Sequence, residues 1–104
     1  MPLFAELQVV NPDGLHTRPA AAIASAMMEF DARLSIANLR TGAAPLVIAG
    51  PISIMLLDAQ LGDRVAVTAE GAQAQAAIDA LSSLIRSGFG ELDAQPFRSA
   101  AESQ

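Results

Sequence analysis

The chain has 104 residues, 52% of them hydrophobic, and a formal net charge of −5; this length buries one core without covalent staples. It holds no cysteine and a single histidine, which excludes disulfide frameworks, zinc clusters and thiol nucleophiles. Eleven acids, six arginines, no lysine and four phenylalanines as the only aromatics argue against nucleic acid as a partner.

The first residues, Met1-Pro2-Leu3-Phe4-Ala5-Glu6, lack the basic and apolar regions of a secretory signal, so the cytoplasm is the expected compartment. No later apolar run approaches the ~20 residues of a membrane span, so no membrane insertion is expected. Phe4 to Val10 reads as a strand that meets the turn formers Asn11-Pro12-Asp13-Gly14. From Thr17 to about Glu29, Ala20, Ile23, Ala24, Met27 and Phe30 recur at steps of three and four, which predicts a helix with His16 at its entry. Arg33 to Leu39 alternates with period two, Arg40-Thr41-Gly42 turns, and Ala43 to Ile48 returns as a second strand of a hairpin. Gly50-Pro51 opens a short apolar helix over Ile52 to Ala59, closed by Leu61-Gly62. Asp63 to Ala69 is a further strand. Ala77, Ile78, Leu81, Leu84 and Ile85 then form the stripe of a last helix, with Arg86 and Gly88 marking its end.

The order predicts an α+β sandwich with helices on one face of an antiparallel sheet. Residues 1–92 are expected to form one domain. Residues 93–104 carry no sustained pattern and read as a flexible tail or linker.

The chemistry concentrates in Gly14-Leu15-His16-Thr17-Arg18-Pro19-Ala20. Open amides at a helix start attract an anion, and a guanidinium two residues beyond the histidine adds a forked, charge-assisted contact. Pro19 gives up an amide that has no intrahelical partner in any case. Histidine as a residue type titrates near ~6.5, so a neutral ring nitrogen is available as a nucleophile, and the N–P bond it forms is labile. A lone histidine is more often a cap or a surface residue, and spacing alone does not decide between the two.

The stretch Asn11-Pro12-Asp13-Gly14-Leu15-His16-Thr17-Arg18-Pro19-Ala20-Ala21 resembles the active-site signature of the HPr family, the histidine-containing phosphocarriers of the bacterial phosphoenolpyruvate:sugar phosphotransferase system. Leu61-Gly62-Asp63-Arg64-Val65 and Thr68-Ala69-Glu70-Gly71 are similar to that family's penultimate strand and turn, and the likeness covers about residues 3 to 88. It implies the HPr-like open-faced sandwich, a four-stranded antiparallel sheet covered on one face by three helices in the order βαββαβα. It further implies His16 as the phosphorylated residue through Nδ1, with Arg18 as its catalytic partner and Thr17 and Arg18 binding the phosphate. Enzyme I would be the donor and an EIIA-type domain the acceptor, with neither cofactor nor metal and with the carrier a monomer. Sugar or polyol uptake and phosphorylation would be the process served. A carrier detached from a multiphosphoryl transfer chain, or one serving a dihydroxyacetone kinase or fructose route, is a specialised version of the same reading.

Two departures from the family bear on regulation and docking. Counting back without gaps from Gly62 puts Gly50 where many members carry a kinase-regulated serine, so that site is expected to be absent. Ser53 substitutes for it only if the following loop is shortened. The usual lysines of the docking face are missing, and Ser25 and Met28 stand at outer positions of the first helix. Docking is assigned to Ala21, Pro51, Ile52 and Met55, although periodicity alone places Pro51, Ile52 and Met55 equally well in the core.

Four other readings are weaker. Asp13 beside His16 lacks the positioned serine of a hydrolytic triad and reads as part of a turn. Met27-Met28 lack the companions of a soft metal site. An HPr-fold regulatory module that binds partners without transfer, or a small-ligand sensor, would leave the pairing of His16 with Arg18 without a purpose.

Overall fold

A computed structural model describes residues 2–90 of the chain. The expected tail at 93–104, and with it the domain end at 92, lies outside the described residues. The elements follow in the order β1 (Leu3–Gln8), α1 (Thr17–Met27), β2 (Arg33–Asn38), β3 (Leu46–Val47), α2 (Pro51–Met55), β4 (Arg64–Glu70) and α3 (Ala74–Ser87), with a short turn of 3₁₀ helix at Gly88–Gly90.

Alternation along the strands becomes rows of side chains across the sheet. β4 pairs antiparallel with both β1 and β2, so that Leu3, Ala69 and Leu34 align, as do Ala5, Val67 and Ile36, and then Leu7, Val65 and Asn38. These rows face the helices, and Leu7, Val65, Val67, Ala69, Leu34 and Ile36 are buried. The opposite face carries Phe4, Thr68 and Ser35 in one row, with Phe4 exposed to solvent, and Glu6 pairs with Arg64 there. The strand order is β1-β4-β2-β3, which puts the last of the four described strands inside the sheet, between β1 and β2.

The helices close the core from one side. Ile23 and Met27 of α1, Ile54 of α2, and Ala77, Ile78, Leu81 and Ile85 of α3 belong to one buried cluster with the inward rows of the sheet. Burying the isoleucine, leucine and methionine side chains among them contributes roughly 1.5–3 kcal/mol each before entropy is subtracted. Gly88, at φ 68, caps α3 in the left-handed conformation that its sequence position announced. This is the open-faced α+β sandwich expected from the order of elements. Among the described residues no helix is long and apolar enough to cross a membrane.

Two elements differ from expectation in extent, and two residues in burial. The return strand of the hairpin shrinks to Leu46–Val47, because Pro45 has no N–H to give to a ladder. The short helix covers Pro51–Met55 and stops well before Ala59: Leu56 is its C-cap, and Asp58 turns to φ 52. Leu84 and Phe30 sit at the core margin, only partly buried.

Candidate functional site

The loop before α1 is built by its turn formers. The Gly14 amide donates to the Asn11 carbonyl at 3.1 Å, and the Asn11 side-chain amide returns a bond to the Gly14 carbonyl at 2.5 Å. Gly14 adopts φ +69, and a Cβ placed there would lie 2.2 Å from the Ala59 carbonyl oxygen. Only glycine permits that approach. The next amide, from Leu15, donates to the same Ala59 oxygen at 2.9 Å, and the Leu15 side chain enters the core.

His16 follows as the N-cap of α1, in extended backbone at φ −77 and ψ −166, and its carbonyl accepts the Ala20 amide at 2.9 Å. Its side chain does not cap the helix. Thr17 and Arg18 supply the first two helical amides, which have no intrahelical acceptor by position. Pro19 takes the third position, contributes no amide and is buried. The helix therefore begins with two donors beside an imidazole, an arrangement suited to an anion.

His16 and Thr17, with Asp13, line a cleft of ≈ 220 Å³, whose other wall is formed by Met55, Asp58 and Gln60. Arg18 is exposed and is not part of that lining. Of the apolar residues on α2, Ile54 is 0% exposed whereas Ile52 is 65% and Met55 41% exposed. Pro51 and Ala21 are exposed as well, so the four residues assigned to docking lie at the surface and Ile54 is the core residue of the short helix. Gly50 is the N-cap of α2, and Ser53 lies half-buried inside the helix. Met27 faces the core while its neighbour Met28 faces solvent, so the two sulfurs form no common site.

Of the wall opposite His16, sequence reasoning singled out Met55 and missed Asp58, Gln60 and what holds them. Asn38 is buried at the inward end of β2, and its side-chain amide donates to the Leu57 carbonyl at 3.0 Å and to Asp63 Oδ2 at 3.1 Å. Arg40 donates from Nε to the Asp63 carboxylate at 2.9 Å and from Nη2 to the Asp58 carbonyl at 2.8 Å. The Gln60 amide donates to Asp63 Oδ2 at 2.9 Å. That bond first, then those from Arg40 and Asn38, hold the Asp63 carboxyl below the usual carboxylate range against its partial desolvation. The same two carboxylates, Asp63 before Asp58, raise the Arg40 guanidinium. A polar residue on the alternating apolar face Leu34, Ile36, Asn38 was the available signal.

An open-faced βαββαβα sandwich whose first helix opens after a histidine, with two amides that have no intrahelical acceptor, is the architecture shared with the HPr phosphocarriers. Residues 4–87 match the family model described as the PTS HPr component phosphorylation site, and the chain belongs to that family. It is 39% identical over 89 residues to the PEP-dependent dihydroxyacetone kinase phosphoryl donor subunit DhaM of Providencia stuartii, which covers 86% of this chain and 18% of that protein. It is 32% identical over 85 residues to the phosphocarrier protein NPr of Escherichia coli K12, covering 82% of this chain and 92% of that one. Among solved structures it resembles HPr-C-His from Thermoanaerobacter tengcongensis, at TM-score 0.77 and 30% identity, over 86% of this chain and 97% of that one. The chain thus spans about a fifth of the DhaM relative's length and nearly all of NPr. It is an HPr-type phosphocarrier of the phosphotransferase family.

Proposed function

We propose that His16 is the residue that carries the phosphoryl group. Nδ1 of the imidazole attacks the phosphorus, and the N–P bond forms as the bond to the donor's leaving group breaks. Two further negative charges then arrive at a helix N-terminus, where the amides of Thr17 and Arg18 and the Arg18 guanidinium receive the phosphate oxygens. The observation that carries this reading is His16 as N-cap above two open amides, with proline at the third helical position.

The donor in this reading is an enzyme I type protein charged from phosphoenolpyruvate, and the acceptor is an EIIA-type domain of a sugar or polyol route. The likeness to a DhaM donor subunit supports a dihydroxyacetone kinase as one destination for the phosphoryl group. Such a carrier works where phosphoenolpyruvate is made, in the cytoplasm. Residues 1–92 act as the carrier domain and 93–104 as its tail or linker. The exposed Ala21, Pro51, Ile52 and Met55 form the surface on which both partners dock in turn. Their burial is worth ~25 cal/mol per Å² before the costs of association are subtracted. Gly50 offers no hydroxyl at the start of α2, so control by a serine kinase at that position is absent. Ser53, within the helix, is the weaker candidate for such a site.

The test mixes the protein with enzyme I, magnesium and labelled phosphoenolpyruvate. Acid-labile label is expected on the wild type and absent from a folded His16→Ala variant. Label that survives His16→Ala, or a wild type that takes none, would refute the assignment.

A further inference from the structure

The bonds around Asn38, Arg40 and Asp63 converge on one short segment. Leu57 and Asp58 offer carbonyls to the Asn38 side chain at 3.0 and 3.4 Å, the Asp58 carbonyl also accepts from Arg40 at 2.8 Å, and the Gln60 amide donates to Asp63 at 2.9 Å. Every backbone group so held flanks Ala59. Asp58 itself adopts φ 52, a left-handed conformation that costs a non-glycine residue free energy and persists only where its surroundings impose it. Ala59 is the residue whose carbonyl receives the Leu15 amide and against which Gly14 closes. His16 is next in the chain.

We infer that Asn38, Arg40 and Asp63 are positioning residues for His16, acting through the segment 57–60 to fix the height and angle at which the imidazole stands over the start of α1. The inference rests on His16 being the phosphorylated residue. None of the three lines the cleft, and their side-chain bonds run instead to the segment 57–60 behind it. Their action is mechanical: the Ala59 carbonyl is the anchor of the loop, and the network sets where that anchor sits. A nucleophile displaced by a fraction of an ångström loses alignment with the phosphorus, which affects the transfer step more than partner binding.

Arg40 is the member to alter, because it is half exposed and its loss leaves the buried Asn38 in place. Arg64, which pairs with Glu6 on the outer face of the sheet, is the control for loss of one surface guanidinium. In Arg40→Ala the transfer rate at saturating phospho-enzyme I is expected to fall roughly three- to tenfold, the loss of one or two hydrogen bonds. KM for the donor should stay within about twofold. The Leu15 amide is expected to exchange with deuterium faster, Arg40→Lys should recover part of the rate, and Arg64→Ala should transfer at the wild-type rate. Arg40→Ala transferring at the wild-type rate with Leu15 still protected would overturn the inference while the His16 assignment stands, and so would an equal loss in Arg64→Ala. A wild type that takes no label sinks the His16 assignment and this inference with it.

Discussion

At position 14 a single added carbon decides whether the loop can close. The Cβ of an alanine there meets the Ala59 carbonyl at 2.2 Å, and the backbone stands at φ +69. Gly14→Ala is expected to cost roughly 1–3 kcal/mol, since the loop must both move and bear strain. Urea unfolding measures that loss, and slower labelling of His16 should accompany it. Arg18 lies beyond the cleft lining and is exposed, so its removal leaves the fold alone. Arg18→Ala is expected to retain the wild-type urea midpoint and to lower the labelling rate by roughly 10- to 100-fold, the loss of a charge-assisted bond to phosphate. An unchanged rate would remove Arg18 from the phosphate cradle. Both residues were legible in the sequence as a turn glycine and as a cation two places after a histidine. That the loop closes on the Ala59 carbonyl was not, because a linear sequence does not show which distant carbonyl a loop leans on.

Among the elements, α2 is the one whose sequence said least about its orientation. Five residues make little more than one turn, too few for periodicity to separate a buried face from an exposed one. Packing against α1 settles it: Ile54 is fully buried and Ile52 largely exposed. Ile54→Ala is therefore expected to cost about 2–5 kcal/mol, while Ile52→Ala stays within about 0.5 kcal/mol, both read from urea midpoints. The order reverses in kinetics: Ile52→Asp should raise KM for the phosphorylated donor without unfolding the domain, because a charge is placed in an apolar contact. A KM equal to wild type would assign docking elsewhere. The hairpin shows the same limit in another form, since apolar content marked Ala43 to Ile48 as strand but Pro45 leaves only Leu46–Val47 in the ladder.

For the whole molecule, the Asn38, Arg40 and Asp63 bonds join the end of β2, the start of β4 and the segment after α2, and they give the fold an acid-sensitive joint. The Asp63 carboxyl titrates below its ordinary 3.8 in the folded chain, so the stabilisation it supplies is present above that value and fades as pH falls through the lower folded value. Asp63→Asn is expected to flatten the stability profile as pH falls below 3.8, as measured by urea unfolding at each pH; a profile parallel to wild type would deny Asp63 that role. The order of elements and the histidine-bearing helix start were determined by sequence alone, because both arise from local causes: period two against period 3.6, turn residues, and the backbone preferences of glycine and proline. The helical cover on one face followed from the apolar stripes. Only the tertiary structure decided that β4 enters between β1 and β2, that Ile54 and not Ile52 joins the core, and that a buried asparagine and an ion pair brace the wall facing His16. These are settled by contacts between residues distant in the chain, whose partners are chosen by the shared burial of several elements at once.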